Sequence, residues 1–216
     1  MKRTVTTLIL MSILQACSSE SSPEKVDPDP NAAIDLSRGG YQCFTMTTSF
    51  GDIELALDKQ RAPITTDNFA TYAKNGFYDG TLFHRVIDDF VVQGGGYGAI
   101  TEETTLDDRK ATRDPIPLES DNGLKNYRGR IAMARGTNPN SATSQFFINL
   151  ADNHDPLDYI PESNRFGYAV FGGVISGMDV VEQISNVEVG KVNTYFNVPT
   201  QDIFINSVTE TNCPAS

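Results

Sequence analysis

Two short segments of this 216-residue chain gather aromatic, amide and guanidinium side chains in a way unusual for an ordinary barrel. The first runs Phe83-His84-Arg85-Val86-Ile87-Asp88-Asp89-Phe90-Val91-Val92-Gln93-Gly94-Gly95. The second runs Ile131-Ala132-Met133-Ala134-Arg135, followed by Ser141-Ala142-Thr143-Ser144-Gln145-Phe146-Phe147-Ile148-Asn149. Strand alternation in the latter sets Gln145, Phe147 and Asn149 on one side and Phe146, Ile148 and Leu150 on the other. The wholly apolar side must be core. The mixed side then presents an aromatic ring beside an amide, as a peptide groove does, and Val91 and Gln93 share a face by the same alternation. Parity alone does not place Arg85, whose ordinary reading is a surface ion-pair residue.

Signatures of nucleophilic, metal or nucleotide chemistry do not appear. Only His84 and His154 are present, and neither stands at metal-ligand spacing with cysteines or carboxylates. There is no nucleophile elbow and no Walker loop. Gly94-Gly95-Gly96-Tyr97-Gly98 lacks the six-residue dinucleotide fingerprint and a following helix, so it reads as a turn with positive φ. No metal and no cofactor are expected.

The elements that must position these residues are mostly short strands. Cys43–Thr48 and Ile53–Leu57 alternate and are split by Ser49-Phe50-Gly51-Asp52, a hairpin signal. Pro63 opens a helix that runs to about Lys74 and stops at Asn75-Gly76. Strands fit Thr81–Ile87, Phe90–Gln93, Gly129–Ala134, Gln145–Leu150, Tyr168–Gly172 and Asp202–Val208. Residues 98–128 are polar and irregular, a long loop of the kind that often carries function. A second helix fits Met178–Ser185, with Met178, Val181 and Ile184 along one face. Many short strands with two helices imply a mainly β fold, a closed or nearly closed antiparallel barrel.

The chain carries 17 Lys and Arg against 28 Asp and Glu, net −11, with no basic cluster, which argues against nucleic acid as a partner. Its apolar runs are too short for a membrane-spanning helix. The N-terminus instead reads as a targeting segment: Lys2 and Arg3 precede an apolar stretch from Val5 to Leu14 that ends Leu14-Gln15-Ala16-Cys17. That ending resembles the bacterial lipoprotein lipobox, which implies removal of residues 1–16 and lipidation of Cys17. The remaining chain would carry 15 positive and 28 negative charges, net −13, after loss of Lys2 and Arg3. Ser18 after the cysteine resembles the outer-membrane sorting pattern. A bacterial envelope location is therefore expected, lipid-anchored, facing the periplasm, with the outer membrane ahead of the inner. Residues 17–40 hold the lipidated cysteine and an acidic, Ser/Pro-rich tether with a reach of about 25 Å. The folded domain is expected over 41–213. Cys43 and Cys213 stand near its two ends, either as a disulfide suited to an oxidising compartment or as two separate thiols.

The catalytic-looking segments, with LESDNGLKNYRGRIAMAR, SATSQFFIN and FGYAVFGGVISGMDVVEQI in the same order, resemble the cyclophilin family of peptidyl-prolyl cis–trans isomerases, especially its bacterial exported members. The resemblance spans about residues 44–209. It implies a closed eight-stranded antiparallel barrel capped by two α-helices, with the first and last strands adjacent, which favours a Cys43–Cys213 bridge. It implies isomerisation of X–Pro bonds in exported polypeptides, with Arg85 as the catalytic arginine and Gln93 positioning it and the substrate. Phe90, Val91, Phe147 and Leu157 match the walls of the proline pocket. Ala134, Arg135 and Gln145 match the groove that grips the flanking backbone, and Tyr168 a position at the pocket edge. The partners implied are proline-containing polypeptides and, through Cys17, a lipid bilayer; a monomer is expected. A second reading is a non-catalytic module that holds Pro-containing segments as a chaperone or scaffold, which would tolerate Arg85→Lys where an isomerase would not.

Four departures from the family pattern bear on the pocket. Asp88-Asp89 stands where many relatives have Pro-Gly, and Val91 replaces a common Met. The chain has no Trp, and Pro156 occupies an aromatic position just before Leu157. Loss of that aromatic surface predicts weak cyclosporin binding.

Overall fold

The computed structural model describes residues 34–103 and 109–215. The signal segment, Cys17 and the tether up to residue 33 lie outside the described residues. From 34 onward the tether makes a single 3-10 turn at Leu36–Arg38, capped by the Asp35 carboxylate accepting from Ser37 N–H.

Among the described residues ten strands and three α-helices follow. Strands β1 (Tyr41–Thr48) and β2 (Gly51–Asp58) form the first hairpin, with Thr48↔Gly51 as its last pair. Helix α1 spans Pro63–Lys74, with Pro63 at its first turn where a missing N–H costs nothing. Then come β3 (Thr81–Ile87), β4 (Val91–Gly94), β5 (Arg130–Met133) and β6 (Phe146–Asn149). Helix α2 (His154–Leu157), β7 (Val170–Ser176) and α3 (Met178–Ser185) precede a β8–β9 hairpin (Val189–Val192, Tyr195–Pro199) and β10 (Phe204–Thr211).

Eight strands close a barrel in the order β1-β10-β3-β4-β6-β5-β7-β2, every pairing antiparallel. Closure leaves the barrel itself no free edge for another chain to pair with. The first and last strands run side by side from Cys43↔Thr211 to Thr48↔Ile205, and Cys43 and Cys213, Cα atoms 5.1 Å apart, are joined as a disulfide. Alternation fills the interior from one side of each strand: Phe44, Met46, Ile53, Leu55, Val92, Phe146 and Ile148 are fully buried in one cluster. Helices α1 and α3 turn Phe69, Val181 and Ile184 into the same cluster. The Phe69 ring lies 4.9 Å from Tyr78 and 5.6 Å from both Phe146 and Phe171, so truncating it to Ala removes about 3–5 kcal/mol.

Three features differ from the sequence expectation. The barrel has a third helix, α2, a single turn too short for helical periodicity to register. The β8–β9 hairpin, outside the barrel sheet, falls in a stretch to which the sequence reading gives no element. Some strand ends move, by up to four residues: β7 starts at Val170 rather than Tyr168 because the Tyr168 N–H donates to Leu157 O at 2.9 Å, off the sheet, and it runs on to Ser176.

Candidate functional site

The outer faces of β4, β5 and β6 carry a second apolar cluster, separate from the barrel interior: Val91, Leu124, Ala132, Phe147 and Val170, with Phe90, Ala134, Leu157 and Tyr168 packed against it. Strand parity decides this split. Phe147 and Val91 point outward because Phe146, Ile148 and Val92 fill the core. Above this cluster opens a cavity of about 170 Å³ lined by Arg85, Phe90, Val91, Gln93, Ala134, Arg135, Phe147, Leu157 and Tyr168. Nine of the ten groove residues expected from sequence thus border one cavity. The tenth, Gln145, stands beside it, hydrogen-bonded to Gln93.

Three elements hold the apolar walls. Phe90 ends the Asp88-Asp89 turn, its N–H donating to Ile87 O at 3.1 Å. Asp89 sits at φ 56°, the left-handed region that a glycine fills without cost and that Asp tolerates better than most residues. Asp therefore replaces Gly here without losing the turn. Leu157 is carried by α2, and the Tyr168 ring stands edge-on to Phe147 at 5.5 Å. Arg135 props that ring from the other side: its guanidinium lies 4.8 Å from the Tyr168 centroid and donates to Gly167 O at 2.8 Å.

A buried amide network fixes Phe90 relative to α2. Asn153 Nδ2 donates to Phe90 O at 2.7 Å and to Asn149 Oδ1 at 2.9 Å. Asn149 Nδ2 donates to Asn126 Oδ1 at 3.3 Å, and Asn126 donates through both N–H and Nδ2 to Asp158 Oδ1 at 2.9 and 2.8 Å. Fully satisfied buried networks of this kind hold one geometry, because an unmade bond in a dry interior costs about 1–3 kcal/mol. The sequence reading missed Asn126, Asp158 and Leu124. Leu124 and Asn126 lie within the LESDNGLKNYRGRIAMAR segment that carries the resemblance, but no local pattern marked their contacts.

The polar wall is a chain of side chains. Arg85 Nη1 donates to Gln93 Oε1 at 3.1 Å, and Gln93 Nε2 donates to Gln145 Oε1 at 3.1 Å. The strand pair brings Arg85 and Gln93 opposite one another across β3 and β4. Gly96 makes room for the third member: a Cβ there would lie 2.6 Å from Gln145 Nε2. Gly95, at φ 79°, makes the expected positive-φ turn. Arg85 is half-buried, and burial lowers its pKa from the ordinary value while Tyr168 acts in the opposite sense. Among the described residues it bonds an amide, not a carboxylate, so the surface ion pair is not what holds it. A cation thus stands at the rim of an apolar pocket, with no carboxylate bonded to it among the described residues.

An apolar recess beside a guanidinium offers binding and electrostatics but no nucleophile. The family description "Cyclophilin type peptidyl-prolyl cis-trans isomerase/CLD" matches residues 43–210. The chain belongs to the cyclophilin family. Peptidyl-prolyl cis-trans isomerase A of Dickeya dadantii is 51% identical over 163 residues, covering 75% of this chain and 80% of the relative. Peptidyl-prolyl cis-trans isomerase B of Escherichia coli is 46% identical over 166 residues, covering 76% of this chain and 97% of the relative. A crystal structure of a Cryptosporidium parvum cyclophilin type peptidyl-prolyl cis-trans isomerase, obtained in the presence of the dipeptide Ala-Pro, overlays with TM-score 0.61 at 25% identity. It covers 80% of this chain and 100% of that one. This cyclophilin is a peptidyl-prolyl cis–trans isomerase acting on proline-containing peptides.

Proposed function

We propose that Arg85 is the catalytic residue of this isomerase, that Gln93 positions it, and that the cavity of Phe90, Val91, Phe147 and Leu157 immobilises the proline ring. The barrier to be lowered arises from the partial double bond of the X–Pro amide, about 18–20 kcal/mol. Rotation breaks no σ bond, so it needs neither nucleophile nor cofactor. With the ring held, the rest of the peptide turns; in the twisted state the proline nitrogen becomes pyramidal and regains its lone pair. A guanidinium aimed at that nitrogen, or at the proline carbonyl, stabilises the twisted state more than the planar one. Arg suits the task because it stays charged and presents its donors in a fixed fork. Ala134, Arg135, Gln145 and Tyr168 border the path of the flanking backbone.

The observation that carries this reading is the Arg85–Gln93–Gln145 hydrogen-bond chain set against an apolar recess. The test is cis–trans exchange of a short X–Pro peptide, followed by NMR, with the full chain and with Arg85→Ala. Loss of a preorganised charged donor predicts a fall in kcat/KM on the order of 100-fold or more. An Arg85→Ala protein that still accelerates exchange within a factor of three would move the chemistry elsewhere.

The cellular setting rests on the N-terminal sequence. We propose a monomeric isomerase held to a bacterial membrane through lipidated Cys17, facing the periplasm from the outer membrane and assisting the folding of exported polypeptides. Labelling with a radioactive fatty acid should mark the wild-type chain and not Cys17→Ser, and the variant should leave the membrane fraction. An unlabelled wild-type chain rejects the anchor.

A further inference from the structure

Beyond Arg85 the groove does not end. The β8–β9 hairpin packs against β3, and between them lies a cavity of about 420 Å³. It shares Arg85 and Gln93 with the proline cavity, so the two lie side by side. Its floor is a ladder of rings. His84 and Tyr97 have centroids 4.8 Å apart, and Tyr97 and Tyr195 lie 5.7 Å apart. Phe196 adds an outer wall. It is 62% exposed, the most exposed large apolar side chain among the described residues, and Lys191 lies over one ring face at 5.0 Å.

Two polar atoms of this lining are buried without a hydrogen-bond partner, His84 Nδ1 and Tyr195 Oη. Leaving such groups unmade costs about 1–3 kcal/mol each, a cost recovered when a side-chain shift brings either atom to a donor or acceptor of an occupant. An exposed phenyl ring beside them adds apolar contact. Aromatic walls with polar atoms at their base match a side chain that is itself aromatic with a polar tip.

We propose that this cavity is a second substrate subsite, taking an aromatic side chain, tyrosine above all, from the polypeptide segment flanking the bound proline, with Phe196 as its selective wall. This rests on the reading of Arg85 and its pocket as the proline site. An extended chain advances about 3.3–3.6 Å per residue, so residues two or three positions from the proline reach the cavity past Arg85. The isomerase would then favour X–Pro bonds in aromatic-flanked segments, which an unfolded exported chain exposes and a folded one buries.

The experiment uses the full chain and peptides with one constant Ala-Pro bond, in which a single Tyr is walked through three positions on each side against an all-Ala background. In the wild type, one position should raise kcat/KM at least threefold through KM, and Phe196→Ala should abolish that gain. Phe196→Tyr, which keeps the ring, should retain it. The all-Ala peptide should change less than twofold in either variant, and since Phe196 is mostly exposed both variants should fold. Acceleration of every peptide with no positional preference, or a preference that survives Phe196→Ala, overturns the subsite and leaves the Arg85 reading intact. No acceleration of any peptide overturns both.

Discussion

Gln93 offers the sharpest test of how the guanidinium is aimed. Gln93→Leu keeps the side chain's volume and removes both of its amide bonds, to Arg85 Nη1 and to Gln145 Oε1, each 3.1 Å long. The first is a bond to a charged group, but Arg85 is only half-buried, so water replaces part of it and about 1–1.5 kcal/mol is the realistic net loss. Freed of its anchor, Arg85 also regains rotamer freedom that must be surrendered in the twisted state, up to about 1 kcal/mol more. Together these predict a fall in kcat/KM of roughly 5- to 70-fold at ~1.36 kcal/mol per decade. The assay is exchange NMR on a short X–Pro peptide with four proteins: wild type, Gln93→Leu, Arg85→Ala and the double variant. If Gln93 acts through Arg85, its substitution costs nothing further once Arg85 is gone. An equal loss from Gln93→Leu in both backgrounds would refute the positioning role and make Gln93 an independent substrate contact.

Three further outcomes are expected. Reducing the Cys43–Cys213 bridge, whose partners are 170 residues apart, releases up to about 5 kcal/mol of chain entropy in the unfolded state. Melts followed by circular dichroism should shift down by roughly 5–15 °C with reductant, and an unchanged midpoint after complete thiol exposure would contradict this. Burial lowers the His84 pKa from 6.5 to about 4, so between those values the unfolded chain binds more protons than the folded one. Its contribution is complete above pH 6.5 and falls away towards pH 4, by roughly 3 kcal/mol. His84→Asn should flatten that part of a denaturant-midpoint-versus-pH curve, and an identical slope in the variant would assign the acid sensitivity to the carboxylates. Micromolar cyclosporin should leave turnover largely intact, because Pro156 stands in α2 where an aromatic ring would extend the pocket wall. Submicromolar inhibition would show that the Asp155-Pro156-Leu157 segment is misassigned.

The parts of the site that alternation controls were readable from residues alone. Phe147 faces the cavity because Phe146 and Ile148 must fill the barrel, and Val91 and Gln93 share a face for the same reason. Arg85 was not readable this way. Its role depends on β3 and β4 pairing Arg85 with Gln93, a contact that no local pattern records. Helix α2 is four residues long, too short for a period, and its place is set by the Asn126–Asp158 and Asn153–Phe90 bonds across long stretches of chain. The β8–β9 hairpin did have a signal. Lys191↔Phe196 and Val192↔Tyr195 flank Asn193-Thr194, and Asn193 takes the positive φ of 50° that such a turn needs. Its half-exposed strands gave no strong apolar alternation to draw attention to it.

The joining of Cys43 to Cys213 also determines how the domain carries mechanical load. A pull arriving along residues 34–40 enters β1 at Tyr41 and meets Cys43 two residues later. There the covalent bond divides the force between β1 and the segment just beyond β10, the two strands that form the barrel seam. Without the bond the same pull would peel β1 away one hydrogen-bonded pair at a time, the weakest way to load a ladder. With it, a pull on the N-terminal segment strains the barrel as one body, and the seam most open to unzipping is the one that is riveted.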